Sequence, residues 1–307
     1  MLDDHAWPLL RRLTRWLDQF KDGFGHRAQR VSLRQYVDGL LSDSPRKSMS
    51  AMLARVTEPG SSQALQHFVT DAPWEAEAVW RRLRAVLPER RGILILDETS
   101  FPKQGPHSVG VARQYGGALG KVANGQVAVT AALWTGRRAW ALGALLYLPE
   151  AWTTDLARRA TTRIPASVRF QEKWRLALTW LRRSRAAGLR LTAVVADAEY
   201  GDNRTLRPAW HRMKLAYALG ISPTLTVFLG TPTWRVDRRQ RPPRTRRKGW
   251  PDHEAVSVRV LAGLLPATLW RRVSCQNGSN PAWAADFAAV RVTPASEWRQ
   301  RWLAPEV

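Results

Sequence analysis

Two aspartates stand where short apolar runs stop: Asp97 after Ile93, Leu94, Ile95 and Leu96, and Asp197 after Ala193, Val194, Val195 and Ala196. Such runs read as buried strands. Two carboxylates converging at the mouth of a sheet repel each other unless a cation is shared, and hard oxygen donors favour Mg²⁺ or Mn²⁺. A pair of this kind can activate water or a hydroxyl and offset the charge that develops on a transferring phosphoryl group. Each aspartate can equally end its strand as a solvated turn residue, and residue type alone leaves both readings open. Glu98 follows Asp97 directly. Successive strand side chains take opposite faces, so Asp97 is the expected site residue and Glu98 points away. Glu199 has the same parity as Asp197, but Gly201 predicts a turn there, and Asp202 and Asn203 read as caps of the next helix.

The segment FPKQGPHSVGVARQYGG, after the first acid, holds Lys103, His107, Arg113 and Gln114 among four glycines. Lys103 and Arg113 are candidate phosphate ligands, and Gln114 or Tyr115 a candidate contact to base or sugar. A rigid surface loop would use the same glycines. His107 has no evident partner, and neither Ser100 nor Ser108 sits in a nucleophile elbow, so histidine-relay and serine chemistry have little support. Residues 235–249, RVDRRQRPPRTRRKG, hold eight basic residues and one acid. Pro242, Pro243 and this charge predict a solvated arm, in which Arg238, Arg239, Arg241, Arg244, Arg246, Arg247 and Lys248 are candidate DNA ligands. Trp234 and Trp250 bracket the arm and are the pair to consider for base stacking.

The whole chain shares that bias. Its 307 residues carry 48 Lys and Arg against 25 Asp and Glu, a net charge of +23. Self-repulsion of this size is tolerated where a polyanion is the partner, and nucleic acid is the commonest. Only seven of the 48 are Lys; arginine suits bidentate phosphate contacts, and a GC-rich coding sequence would give the same excess. A single cysteine, Cys275, forbids an internal disulfide and leaves no zinc pattern. The start carries acids before its apolar run, unlike a secretory signal, and the apolar runs fall short of the roughly 20 residues of a membrane span. The expectation is a cytoplasmic, nucleoid-associated protein.

The elements that must position these residues follow from periodicity. Residues 1–72 read as short helices: Leu9, Leu10, Leu13, Trp16, Leu17 and Phe20 fall at helical spacing, as do Leu33, Tyr36, Val37, Leu40 and Leu41. They form either a helix-turn-helix-like DNA-binding module or a plain helical prefix. The remainder, 73–307, opens with a helix in WEAEAVWRRLRAVL, with Thr70 and Asp71 as expected caps. A strand in GILILDET follows, then hairpin strands at 127–134 and 140–148, a helix at 171–187, a strand ending at Asp197, a helix at 205–213 and a strand in LAYALGIS. Short strands are expected in AVSVRVL and FAAVRVTP. No Gly-x-Gly-x-x-Gly turn follows the first strand, which excludes a dinucleotide-binding order. The order matches a ribonuclease-H-like mixed sheet flanked by helices, in which the ends of the first and fourth strands lie side by side.

Taken together, LDETSFPKQGPHSVGVARQYGGALGKVANGQVAV, ALLYLPEAWTTD and VVADAEYGDNRTLR followed by YALGISPT resemble a bacterial insertion-sequence transposase with a DDE superfamily endonuclease domain. The resemblance runs from about residue 30 to 295 and takes in RQRPPR and FAAVRV. It implies that Asp97 and Asp197 are the first and second catalytic aspartates and metal ligands, with Mg²⁺ or Mn²⁺ as cofactor. The implied reaction is DNA strand cleavage and transfer at element ends. The implied partners are double-stranded DNA, in particular terminal repeats, and a homo-oligomer or a full-length transposase, with no membrane. Members usually continue into a Lys-, Arg- and Trp-rich segment whose helix supplies a third acid, a glutamate; the expectation here is that 73–307 is C-terminally incomplete, and neither Glu297 nor Glu306 sits in that motif. Two readings follow: a transposase from a truncated copy, or a catalytically inactive DNA-binding remnant or regulator of a full-length relative. In either, neutralising three arginines of the 235–249 arm should lower the slope of log affinity against log salt by about 0.9 per lost phosphate contact. An arm variant with unchanged slope in a fluorescence-anisotropy titration would remove this segment from the interface.

Overall fold

Aromatic residues at helical spacing gather the N-terminal stretch around one apolar centre. The helices are α1 (Ala6–Leu17), α2 (Arg27–Leu41), α3 (Met49–Leu53) and α4 (Ser62–Thr70), with a 3₁₀ turn at Asp18–Gly23. Ser48 and Ser61 cap α3 and α4 by accepting the N–H groups of Ala51 and Gln63. Phe20, Phe24, Leu53, Leu65 and Phe68 form the buried centre, against which Trp74, Val79 and Leu83 pack. The Trp74 indole donates to the Phe68 carbonyl at 2.6 Å. The next helix, α5 (Ala76–Ala85), takes Glu75 at its N-cap position, not Thr70 or Asp71. Those two residues close α4, because the Asp71 N–H still bonds to the His67 carbonyl; Pro73 then disfavours helical geometry at Ala72.

The structure, a computed structural model, describes residues 6–56, 60–117, 120–236, 249–275 and 283–295. It divides into two compact units, Met1–Thr192 and Ala193–Val307. In the first, β1 (Arg91–Pro102), β2 (Ala112–Gly116), β3 (Lys121–Trp134) and β4 (Ala139–Tyr147) form an antiparallel array in which β3 pairs with each of the others. Two features depart from the sequence reading. First, β1 does not end at Asp97: its pairing with β3 runs from Ile93↔Trp134 to Pro102↔Gly125. Second, ARQYG is the strand β2, not loop, with Arg113 opposite Asn124 and Tyr115 opposite Val122. Five residues between glycines are too short for their alternation to stand out.

After β4 come α6 (Ala151–Thr154), α7 (Leu156–Thr161) and α8 (Lys173–Ala186). One side of α8 buries Leu176, Ala177, Trp180, Leu181 and Ser184. Trp180 is fully buried and its indole N–H donates to the Val129 carbonyl at 2.9 Å. Its ring crosses the backbone at Gly143, which has φ +150°, and a Cβ there would come within 2.3 Å of it. Arg84, 4% exposed, donates to the Leu142 carbonyl and to Glu77. Glu77 also accepts from Arg183 of α8, so one carboxylate joins two helices. Arg90 bonds carbonyls near the C-terminal ends of α5 and α8, where helices leave acceptors unpaired.

The strand β5 (Arg190–Ala196) leads into the second unit and pairs in parallel with β6 (Tyr217–Leu219) through α9 (Ala198–Gly201) and α10 (Leu206–Arg212). Pro208 is accommodated because it is the third residue of α10, where its missing N–H would have no helical acceptor. Next come β7 (Thr226–Leu229), β8 (Trp234–Val236), β9 (Gly249–Pro251), β10 (Val256–Ser257), α11 (Val258–Leu264), β11 (Arg271–Cys275), β12 (Trp283–Phe287) and β13 (Val292–Pro294). AVSVRVL is therefore mostly helix: the Ser257 hydroxyl accepts the Val260 N–H and α11 starts three residues into the expected strand. These elements make a mixed β-sheet core flanked by helices with an N-terminal helical region, in keeping with a ribonuclease-H-like α/β fold. Among the described residues no helix is long and apolar enough to cross a membrane.

The Gly143 crossing sets a clear expectation. Gly143→Ala should cost about 1–3 kcal/mol of stability in urea denaturation, whereas Gly105→Ala, with nothing within 4 Å of the added methyl, should stay within about 0.5 kcal/mol.

Candidate functional site

Alternation along β1 sorts its two acids. Leu94 and Leu96 are buried on the face toward α8, and Glu98 continues that face; Ile93, Ile95, Asp97 and Thr99 take the other. Glu98 Oε2 lies 2.7 Å from Lys173 Nζ at the start of α8, with side chains only 15% and 20% exposed. The same ammonium stands 5.6 Å from the centre of the Tyr147 ring. Glu98 is thus part of the packing between helix and sheet, a role hidden in sequence because 75 positions separate it from its partner.

Asp97 is exposed and sits opposite Thr130. Its Oδ1 accepts the Glu98 N–H at 2.7 Å, and the Thr130 hydroxyl donates to the Asp97 carbonyl at 3.0 Å. Asp197, in the second unit, follows the last residue of β5 and is the N-cap of α9, its Oδ1 accepting the Glu199 N–H at 3.1 Å. Glu199 lies in the first turn of that short helix and is exposed. Asn203 accepts the N–H groups of Thr205 and Leu206 and so ties the turn that leads into α10, whose N-cap position is Thr205. Asp202 does not: it accepts the Ser222 N–H at 3.0 Å and ties down the segment after β6. Among the described residues, no group of three or more His, Cys, Asp and Glu is placed to hold a metal ion; Glu297 and Glu306 lie outside the described residues.

The sequence of residues 19–282 matches the family described as DDE superfamily endonuclease. The chain belongs to that family. A probable transposase for insertion sequence element IS701 from Microchaete diplosiphon is 31% identical over 169 residues, which cover 54% of this chain and 41% of the relative. The chain therefore spans under half the length of that curated relative.

In this DDE superfamily chain the expected cationic ligands fall in separate settings. Lys103 is exposed just past β1, its backbone N–H bonded to the Asn124 carbonyl. Arg113 and Tyr115 are exposed on one face of β2, which register makes the face of Phe101, Asn124 and Val122. Gln114 points the other way and donates to the Gly125 carbonyl at 2.8 Å, so it is a strand tie and not a free contact. Arg238, Arg239, Arg241, Arg244, Arg246, Arg247 and Lys248 lie outside the described residues. The strands on either side of them, β8 and β9, pair with Trp234 opposite Pro251 and Arg235 opposite Trp250. Beside that ladder Asp252 accepts hydrogen bonds from the Thr233 hydroxyl and N–H, which hold its carboxyl below the usual range.

The two β1 acids separate by stability. Glu98→Ala leaves Lys173 largely buried without that carboxylate and should cost about 1–3 kcal/mol, while Asp97→Ala should stay within about 0.5 kcal/mol. Equal losses in thermal denaturation would contradict the face assignment.

Proposed function

We propose that this chain is a DNA-binding member of the DDE superfamily that occupies insertion-sequence ends through phosphate contacts and does not by itself cut them, acting as a remnant or regulator of a full-length transposase. The observation that carries this reading is the pairing of a +23 chain with a described acid set that has no three-residue metal group. The family's chemistry implies Mg²⁺ or Mn²⁺. Two-metal phosphoryl transfer needs enough oxygen ligands to hold both ions about the scissile phosphate. Asp97 and Asp197 each already spend an oxygen on a backbone N–H. A carboxylate so bonded keeps further lone pairs for other partners, and no chemical step is assigned to this chain. Asp97 and Asp197 keep a proposed role as the first two acids of the family pattern.

Support for nucleic acid as partner comes from charge and family together. A cationic surface gives affinity without sequence preference, and sequence-reading contacts must add to it. The test is labelled duplex DNA carrying an element's terminal repeats, incubated with Mg²⁺ or Mn²⁺. The expected result is a salt-sensitive complex and uncut DNA, with the same affinity for the Asp97→Ala and Asp197→Ala variants. Site-specific cutting that vanishes in both variants would overturn the inactive reading, and absence of any complex at low salt would overturn the DNA-binding one.

A further inference from the structure

A groove of about 320 Å³ runs along the outer side of α8, lined by Arg169, Gln171, Trp174, Arg175, Leu178 and Arg182 among others. Within α8, residues 175, 178 and 182 fall at i, i+3 and i+7, one stripe of a helix, and Gln171 precedes its first turn. Elsewhere such a stripe would be core. Here only Leu178 is buried, while Arg169, Gln171, Arg175 and Arg182 are exposed. The neighbouring Arg183 faces inward and is committed to Glu77 at 2.9 Å, so the helix divides its arginines between a structural side and a solvent side.

Each groove arginine is available to an anion. The Arg182 side chain makes no hydrogen bond or ion pair among the described residues. Arg175 meets Glu172 at 3.3 Å, but both side chains are more than half exposed, and exposed pairs of this kind are worth at most about 1 kcal/mol. Its guanidinium carbon lies 4.6 Å from the centre of the Trp174 ring, a cation–π contact that helps hold the group in place. Arg169 spends one nitrogen on the Ala166 carbonyl and keeps its remaining donors. Glu172 is the nearest acid in sequence, and no acid lines the groove.

We infer that this α8 groove is a phosphate-binding surface for duplex DNA, distinct in sequence from the 235–249 arm and assigned by neither the family pattern nor the acidic residues. The inference rests on the DNA-binding reading above. Seven residues of α-helix separate Arg175 from Arg182 by about 10.5 Å, the axial length of about three nucleotides of one strand. The two guanidiniums therefore match phosphates about three nucleotides apart along one backbone, with Trp174 and Leu178 as the floor. Its contribution is affinity and register, without base readout.

The test is a salt titration of duplex DNA binding by the full chain, Arg175→Gln/Arg182→Gln, and the charge-matched Arg137→Gln/Arg138→Gln at the exposed β3–β4 turn. The expected result is a slope of log affinity against log salt lowered by about 1.8 for the groove variant. That corresponds to tens-fold weaker binding near 0.1 M salt, with little change for the turn variant. Arg175→Lys/Arg182→Lys, which keeps the charge, should retain most of the slope and guards against a folding defect in the glutamine variant. Equal slopes for groove variant and parent, or equal losses for groove and turn variants, would overturn the groove while leaving DNA binding intact. A parent chain that fails to bind duplex DNA at all would overturn the underlying reading.

Discussion

The indole of Trp180 has to be buried whole, and that requirement organises the first unit. Its N–H must find an acceptor once water is removed, and the Val129 carbonyl supplies it at 2.9 Å. Its ring needs space that a side chain would take, and Gly143 leaves that space. With Trp180 seated, α8 is held against β3 and β4 in one rotation. Lys173 at one end then reaches Glu98, Arg183 at the other reaches Glu77, and the remaining stripe of Arg175, Leu178 and Arg182 is turned to the groove. One packing contact thus separates arginines that hold the fold from arginines left for a partner.

That separation qualifies what a net charge means. Of the arginines in the first unit, Arg84 donates to the Leu142 carbonyl of β4, and Arg90 satisfies carbonyls that the ends of α5 and α8 leave unpaired. Arg207 does the same for Gly201 in the second unit. A fraction of the +23 is therefore structural. Others, such as Arg175 and Arg182, line the α8 groove exposed to solvent.

The acids follow the same logic of faces. Asp97 and Glu98 are adjacent and chemically alike, yet the strand pleat sends one to solvent beside Thr130 and the other into a near-buried pair with Lys173. Asp197 serves as a helix cap. Carboxylates used this way stabilise local structure whether or not a cation is present.

Much of this architecture was legible in the sequence because its signals are local. Apolar runs before Asp97 and Asp197 marked strands, the spacing of Leu176, Trp180 and Leu181 marked α8, and the opposite fates of Asp97 and Glu98 followed from a period of two. Where one local signal was weak, the reading failed: β2 is five residues between glycines, β1 runs on past Asp97 through pairing with β3, and Ser257 turns an apparent strand into a helix by capping it. What the sequence by itself determined was the mixed strand and helix order, the cationic character and the family. Tertiary structure alone decided that Glu98 belongs to Lys173 across 75 positions, that Glu77 serves two arginines, and that Arg175 and Arg182 open onto a groove. The reason is physical: partners brought together by packing leave no periodicity in the chain, so only the folded arrangement shows which charges are spent and which are free.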